Sequence, residues 1–154
     1  MRFCKFTKGF LPYGVFLIYG LVFLAKPVLD MDEIWNYGFA SYIADGLHPY
    51  VDFNMIQTPL SAYLASAVLL MFGNNLIVFR ILGAVLFSVT FGLVYSVGMK
   101  VVGNRALAFT LSSFLGVLCS LVWMYNYNHL ILLCILAVMF CEYQTENKNG
   151  VRVY

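Results

Sequence analysis

A run of 24 residues, Leu76 to Met99, carries a single charged side chain, Arg80, before Lys100. At 1.5 Å rise per residue a helix of that length reaches about 36 Å, enough to cross the hydrocarbon of a bilayer. Other apolar stretches run from Phe10 to Leu29, Pro59 to Phe72, Ala106 to Met124 and Leu130 to Tyr143. Charged residues make up only 10% of the chain, whereas a soluble surface needs nearer a quarter. The pattern therefore predicts an all-α integral membrane protein. A net charge of +2 with scattered basic residues argues against nucleic acid as a partner. Cys4, Cys119, Cys134 and Cys141 form no C-x-x-C pair and read as small packing residues.

The basic N-terminus, 1–9, precedes the first span at 10–29. A cleaved signal peptide is the alternative. The run is longer than an h-region of about 7–15 residues, and Phe23 sits where cleavage after Ala25 wants a small side chain. An uncleaved helix fits better, with Lys26 snorkelling to the interface.

From Asp30 to Thr58 the chain turns acidic, holding Asp30, Asp32, Glu33, Asp45 and Asp52 and no Lys or Arg. Trp35, Phe39, Tyr42 and Ile43 fall on one helical face, so an amphipathic helix lying in the membrane interface is expected. Gly46 suits its C′ position. Leu47 to Asn54 reads as an irregular loop. Thr58-Pro59 supplies an N-cap and first helical residue for a second short helix, stopped by Gly73-Asn74-Asn75.

Charge decides whether that second helix spans. If it lies in the interface, Arg2, Lys5, Lys8, Lys100, Arg105, Lys148 and Arg152 all fall on the inner side, as the positive-inside rule asks. The expected topology is thus four spans at 10–29, 76–99, 106–124 and 129–143. An extracytoplasmic loop, 30–75, carries two interfacial helices, and 144–154 forms a cytoplasmic tail. A small-residue stripe, Gly83, Ala84, Ser88, Gly92 and Ser96, reads as a close-packing face of the second span.

Few residues could carry chemistry. Asp30-x-x-Glu33 fits an acidic capping box, and acidic residues in a first turn suit the helix dipole. The competing reading makes Asp32 a base at the water–lipid boundary, able to take a proton from an attacking hydroxyl or amine. Arg80 lies inside a span, where a charge needs a partner. It could pair with Asp32, Glu33 or Asp52, bind a lipid phosphate through its planar fork, or snorkel. His48 becomes a divalent-metal ligand only if carboxylates from elsewhere converge on it; no cofactor is otherwise implied. Tyr125 and Tyr127 suit interfacial anchoring.

The ordered set Asp32-Glu33, Gly46, Pro49-Tyr50-x-Asp52, Pro59-Leu60, Tyr63-Leu64, Phe72-Gly73 and Arg80 resembles the N-terminal part of the GT-C fold glycosyltransferases. The protein O-mannosyltransferases and the aminoarabinose transferases that modify lipid A are the nearest in pattern. The likeness covers roughly residues 30–80. It implies sugar transfer from a polyprenyl-phosphate donor to an acceptor on the outer face, in a multi-pass protein of a bacterial plasma membrane. It implies Asp32 as general base and Glu33 as a neighbour positioning acceptor or helix. Pro49, Tyr50 and Asp52 would shape the loop over the site, and Arg80, Tyr50, Asp52 and His48 are the candidates for binding substrate or the lipid phosphate. Gln57-Thr58-Pro59 departs from relatives that place an acidic residue or Lys before the proline, so a metal or phosphate role does not carry over there. Family members are several hundred residues long, so a further C-terminal portion or a second subunit is expected to complete such an enzyme. A non-catalytic scaffold or transporter subunit is the alternative. A transporter would place polar or broken helices at mid-bilayer, and these runs hold few such residues.

Overall fold

The computed structural model describes residues 3–25, 27, 31–120, 125 and 127–148. Among these, all regular structure is helical: α1 (Phe3–Val22, continued by a 3-10 turn at Phe23–Ala25), α2 (Met31–Ala44), α3 (Leu60–Phe72), α4 (Leu76–Val102), α5 (Arg105–Ser120) and α6 (Tyr127–Lys148). The expected all-α class is observed. The readings placed on Asp30 and Lys26, on the Cys4 side chain, and on residues 121–124 and 149–154 lie outside the described residues.

Several boundaries differ from expectation. α1 starts at Phe3 rather than near residue 10, because Lys5 and Lys8 are as compatible with a helix as the apolar residues after them. α4 runs three residues past Met99 and stops at Gly103. Gly103 takes φ +71 and its N–H bonds the Met99 carbonyl at 3.0 Å, a left-handed cap. α6 continues through Lys148, so the first part of the expected tail, 144–148, is helical. α3 opens one residue later than predicted, with Pro59 at the N-cap and no side-chain capping bond. Proline has no N–H to satisfy, so little is lost there.

α4 is the axis of the molecule, packing against α1, α3, α5 and α6. Two aromatic clusters divide its length. Toward its N-terminus, Phe79 packs with Tyr125, Leu69, Ala65 and Ala40. Toward its middle, Phe87 and Phe91 pack with Phe16. The small-residue stripe faces α1, which runs antiparallel. A Cβ on Gly20 would lie 3.1 Å from Ala84. Ser88 Oγ donates to the Tyr13 carbonyl at 2.6 Å, and Gly92 leaves room for the Tyr13 ring. Ser96 Oγ donates to the Gly92 carbonyl, so the 3.1 Å contact with Tyr13 has the tyrosine hydroxyl donating.

Among the described residues, α4 is the one helix long and apolar enough to cross a membrane, with 27 residues and mean hydropathy 2.3. Apolar stretches on α1, α3, α5 and α6 are shorter, at 10–17 residues.

Candidate functional site

Asp32 and Glu33 open α2 side by side, and a helix sends adjacent side chains in different directions, about 100° apart. Glu33 turns toward α4. Its Oε1 and Oε2 accept from Arg80 Nε at 2.7 Å and Nη2 at 2.9 Å. Arg80 Nη1 donates to the Leu24 carbonyl at 2.8 Å, in the 3-10 turn after α1. The side chains are 8% and 17% exposed for Arg80 and Glu33, so the pair is largely withdrawn from water. Of the partners open to Arg80 in the sequence, Glu33 is engaged through both of its oxygens. Both Glu33 oxygens face Arg80, so its bonding is that of a tie between elements.

Asp32 turns the other way, onto a cavity of about 320 Å³. Trp35, Asn36 and Phe39 line it from the following turns of α2, Asn54, Ile56 and Gln57 from the loop, and Tyr127 from the start of α6. Asn36 is buried. Its Nδ2 donates to the Asp32 carbonyl at 2.7 Å, and its Oδ1 receives Gln57 Nε2 at 3.4 Å. Gln57 Oε1 is buried without a hydrogen-bond partner. Sequence reasoning missed Asn36, Asn54 and Gln57. Carboxamides are common in loops, and only the fold brings Asn54 and Gln57 beside Asp32, whereas Asn36 lies one helical turn after it, where spacing alone could have placed it.

α2 ends as its sequence predicts. Gly46 takes φ +90, its N–H bonds the Ile43 carbonyl, and the Leu47 N–H bonds the Tyr42 carbonyl, a Schellman closure. The aromatic face is split: Trp35 and Tyr42 are about half exposed, while Phe39 stacks on Phe53 with centroids 5.8 Å apart. Asn36 and Ala40, one turn apart, make the buried face instead.

The loop holds the remaining predicted residues. Asp52 Oδ2 accepts from the His48 N–H at 2.7 Å and lies 3.4 Å from His48 Nδ1. Tyr50 sits at φ +67 and its hydroxyl donates to the Gln57 carbonyl at 2.7 Å. Tyr50 therefore positions the cavity's loop wall, while His48 and Asp52 close a local turn and do not line the cavity. His48 is 75% exposed, and among the described residues no three His, Cys, Asp or Glu side chains are grouped to hold a metal.

Asn74 joins the far end of α2 to the α3–α4 turn. Its Nδ2 donates to Ser41 Oγ at 2.9 Å and Asp45 Oδ1 at 3.2 Å, while the next residue, Asn75, caps α4 through Val78 N–H. Tyr125, expected at an interface, is instead buried at 3% exposure. It packs on Phe79 with centroids 4.8 Å apart and donates to the Ser61 carbonyl at 2.5 Å. Burial pushes its hydroxyl pKa above the usual tyrosine value. Tyr127 remains exposed, at the cavity.

No protein-family model, curated protein or solved structure matches the chain. What the fold and site define is an all-helical bundle with a carboxylate–guanidinium tie on one side of α2 and a carboxylate-bearing cavity on the other.

Proposed function

We propose that this is a multi-pass membrane protein bearing the acid–base centre of a GT-C type glycosyltransferase. It moves a sugar from a polyprenyl-phosphate donor to an acceptor at the extracytoplasmic face, with Asp32 as general base. The observation that carries this reading is the division of labour between two adjacent carboxylates. Glu33 is committed to Arg80, whereas Asp32 faces a cavity large enough for a small ligand.

Membrane residence is supported by the outer surface. Leu107, Leu111, Phe114, Leu115 and Leu118 on α5, and Ile131, Ile135 and Val138 on α6, are 46–61% exposed. Water would oppose so continuous an apolar face, and lipid accommodates it. Lys100 and Arg105 lie at the end of α4 remote from the Glu33–Arg80 tie, and the positive-inside rule then supports reading the cavity as extracytoplasmic.

In the reaction, the acceptor oxygen forms a bond to the donor's anomeric carbon. The bond from that carbon to the phosphate oxygen breaks, and its electron pair leaves with the polyprenyl phosphate. Asp32 takes the acceptor's proton and passes it to water. Glu33, through Arg80, fixes the start of α2 and hence the direction of Asp32.

The test uses membranes from cells producing the full chain, supplied with radiolabelled polyprenyl-phosphate hexose or pentose. Asp32→Asn should lower label transfer by about 10²–10⁴-fold, the usual contribution of a positioned base, with insertion unchanged. Wild-type transfer by that variant would overturn the assignment. Topology is checked with single cysteines at positions 45 and 148 in a cysteine-free background. A membrane-impermeant maleimide should label them from opposite sides.

A further inference from the structure

We propose that the cavity beside Asp32 is a carbohydrate subsite taking the hydroxyl-bearing sugar ring of the acceptor, not the phosphate end of the donor; this rests on reading the cavity as the transfer site. The wall chemistry carries the argument. Trp35 and Phe39 are one helical turn apart on α2 and offer aromatic surface to the C–H face of a pyranose. Asn36, Asn54 and Gln57 place carboxamides around the same space. Such a mixture of aromatic walls with a few fixed polar groups is the usual make-up of a small-ligand site.

The sign of the polar groups selects the substrate. Gln57 Oε1 is a buried acceptor with no partner, and Asp32 adds a carboxylate. The Gln57 oxygen calls for an O–H or N–H donor, which sugar hydroxyls supply and a phosphate diester does not. Among the described residues, no Lys, Arg or His lines the cavity. Arg80, whose fork could hold a phosphate, is already engaged by Glu33 and the Leu24 carbonyl. An anionic group beside Asp32 would meet like charge.

The loop shows how the carboxamide with the unpaired oxygen is kept in place. Tyr50 fixes the Gln57 backbone by donating its hydroxyl to the Gln57 carbonyl, and Asn36 Oδ1 accepts from the Gln57 side-chain nitrogen. A ligand hydroxyl reaching Gln57 Oε1 completes that set, and Asp32 is then positioned to accept a proton from a neighbouring hydroxyl of the same ring.

Saturation-transfer NMR on the detergent-solubilised full chain tests this, with neutral methyl hexosides and methyl pentosides as probes and hexose 1-phosphates as competitors. Neutral glycosides should show saturable transfer to their ring protons, with at least tenfold weaker binding in Gln57→Leu and in Trp35→Ala. Hexose 1-phosphates should bind at least tenfold more weakly than the matching methyl glycosides. Trp35 is half exposed, so its variant keeps the fold, which circular dichroism verifies. No binding of any neutral glycoside, equal or tighter binding of the phosphates, or unchanged binding in both variants would overturn the subsite. The base assignment fails separately: transfer retained by Asp32→Asn, with glycosides still bound through Gln57 and Trp35, removes the base and leaves the subsite standing.

Discussion

Along its middle and C-terminal half, α4 meets α1 through glycine, alanine and serine, and the polar bonds there end on backbone or on a single tyrosine. At its N-terminal end, α4 meets α2 through a guanidinium and a carboxylate, and the turn before it grips α2 through Asn74. The first contact works by letting two backbones approach and so needs small residues at helical spacing. The second works by matching charged and polar groups across elements far apart in sequence, such as Glu33 and Arg80, 47 positions apart. Dispersion is spread over many atoms, so the seam should tolerate a lost contact and resist an added one. The clamp should behave in the opposite way, because each of its members leaves a desolvated partner when removed.

Arg80→Met breaks the clamp most severely. It leaves Glu33 largely buried opposite a thioether and removes the donor to the Leu24 carbonyl. Breaking one side of a buried ion pair costs about 3–5 kcal/mol. The expected result is the largest fall in thermal midpoint of any single change in the molecule, read by circular dichroism in detergent. Adding Glu33→Leu should recover much of the loss, because the double variant buries no lone charge. A double variant no more stable than Arg80→Met would mean that the pair contributes through Arg80 alone, and the contrast between clamp and seam would narrow.

Gly92→Ala attacks the seam by addition. A Cβ at that position would lie 2.2–2.7 Å from Tyr13 Cδ1, Cε1 and Cγ, so the ring must move and strain its bond to Ser96. Overpacking of this kind costs about 1–3 kcal/mol. Gly98 provides the control on the same helix, since its added Cβ would lie 3.7 Å from Ala108, an ordinary contact. Gly98→Ala should be neutral or stabilising by up to about 1 kcal/mol, as alanine is the better helix former. Equal midpoints for the two variants would show that the seam is looser than its geometry implies.

The same contrast explains what could be read in advance. The stripe from Gly83 to Ser96 is a local pattern, so its role as a packing face was legible from spacing alone. Gly46 was legible for the same reason, since a left-handed cap depends only on neighbouring residues. The Asp32–Glu33 pair stood out near the start of the acidic segment that follows the first apolar run, but which carboxylate meets Arg80 depends on how α2 docks. The cavity wall was less legible still, because Asn54 and Gln57 reach Asp32 through a loop whose path depends on Tyr50 at φ +67 and on the Phe39–Phe53 stack. Tyr125 was misread because an aromatic residue between two apolar runs has the same local signature whether it anchors at an interface or fills a core.

Tyr125 offers the finest test, because it joins the two packing styles in one side chain. Its ring belongs to the aromatic cluster around Phe79, and its hydroxyl bonds the Ser61 carbonyl. Burial raises its pKa in the folded protein, so the folded state favours the neutral phenol. Its contribution is therefore fully present below the unfolded value of about 10 and declines as pH rises above that value, where the unfolded chain ionises first. The wild-type thermal midpoint should fall between about pH 9.5 and 11 through this group. Tyr125→Phe loses one hydrogen bond, about 1 kcal/mol, at neutral pH, but should show a shallower alkaline decline. Parallel curves for the two proteins would mean that another group governs alkaline stability, and Tyr125 would then count as a ring in the cluster and no more.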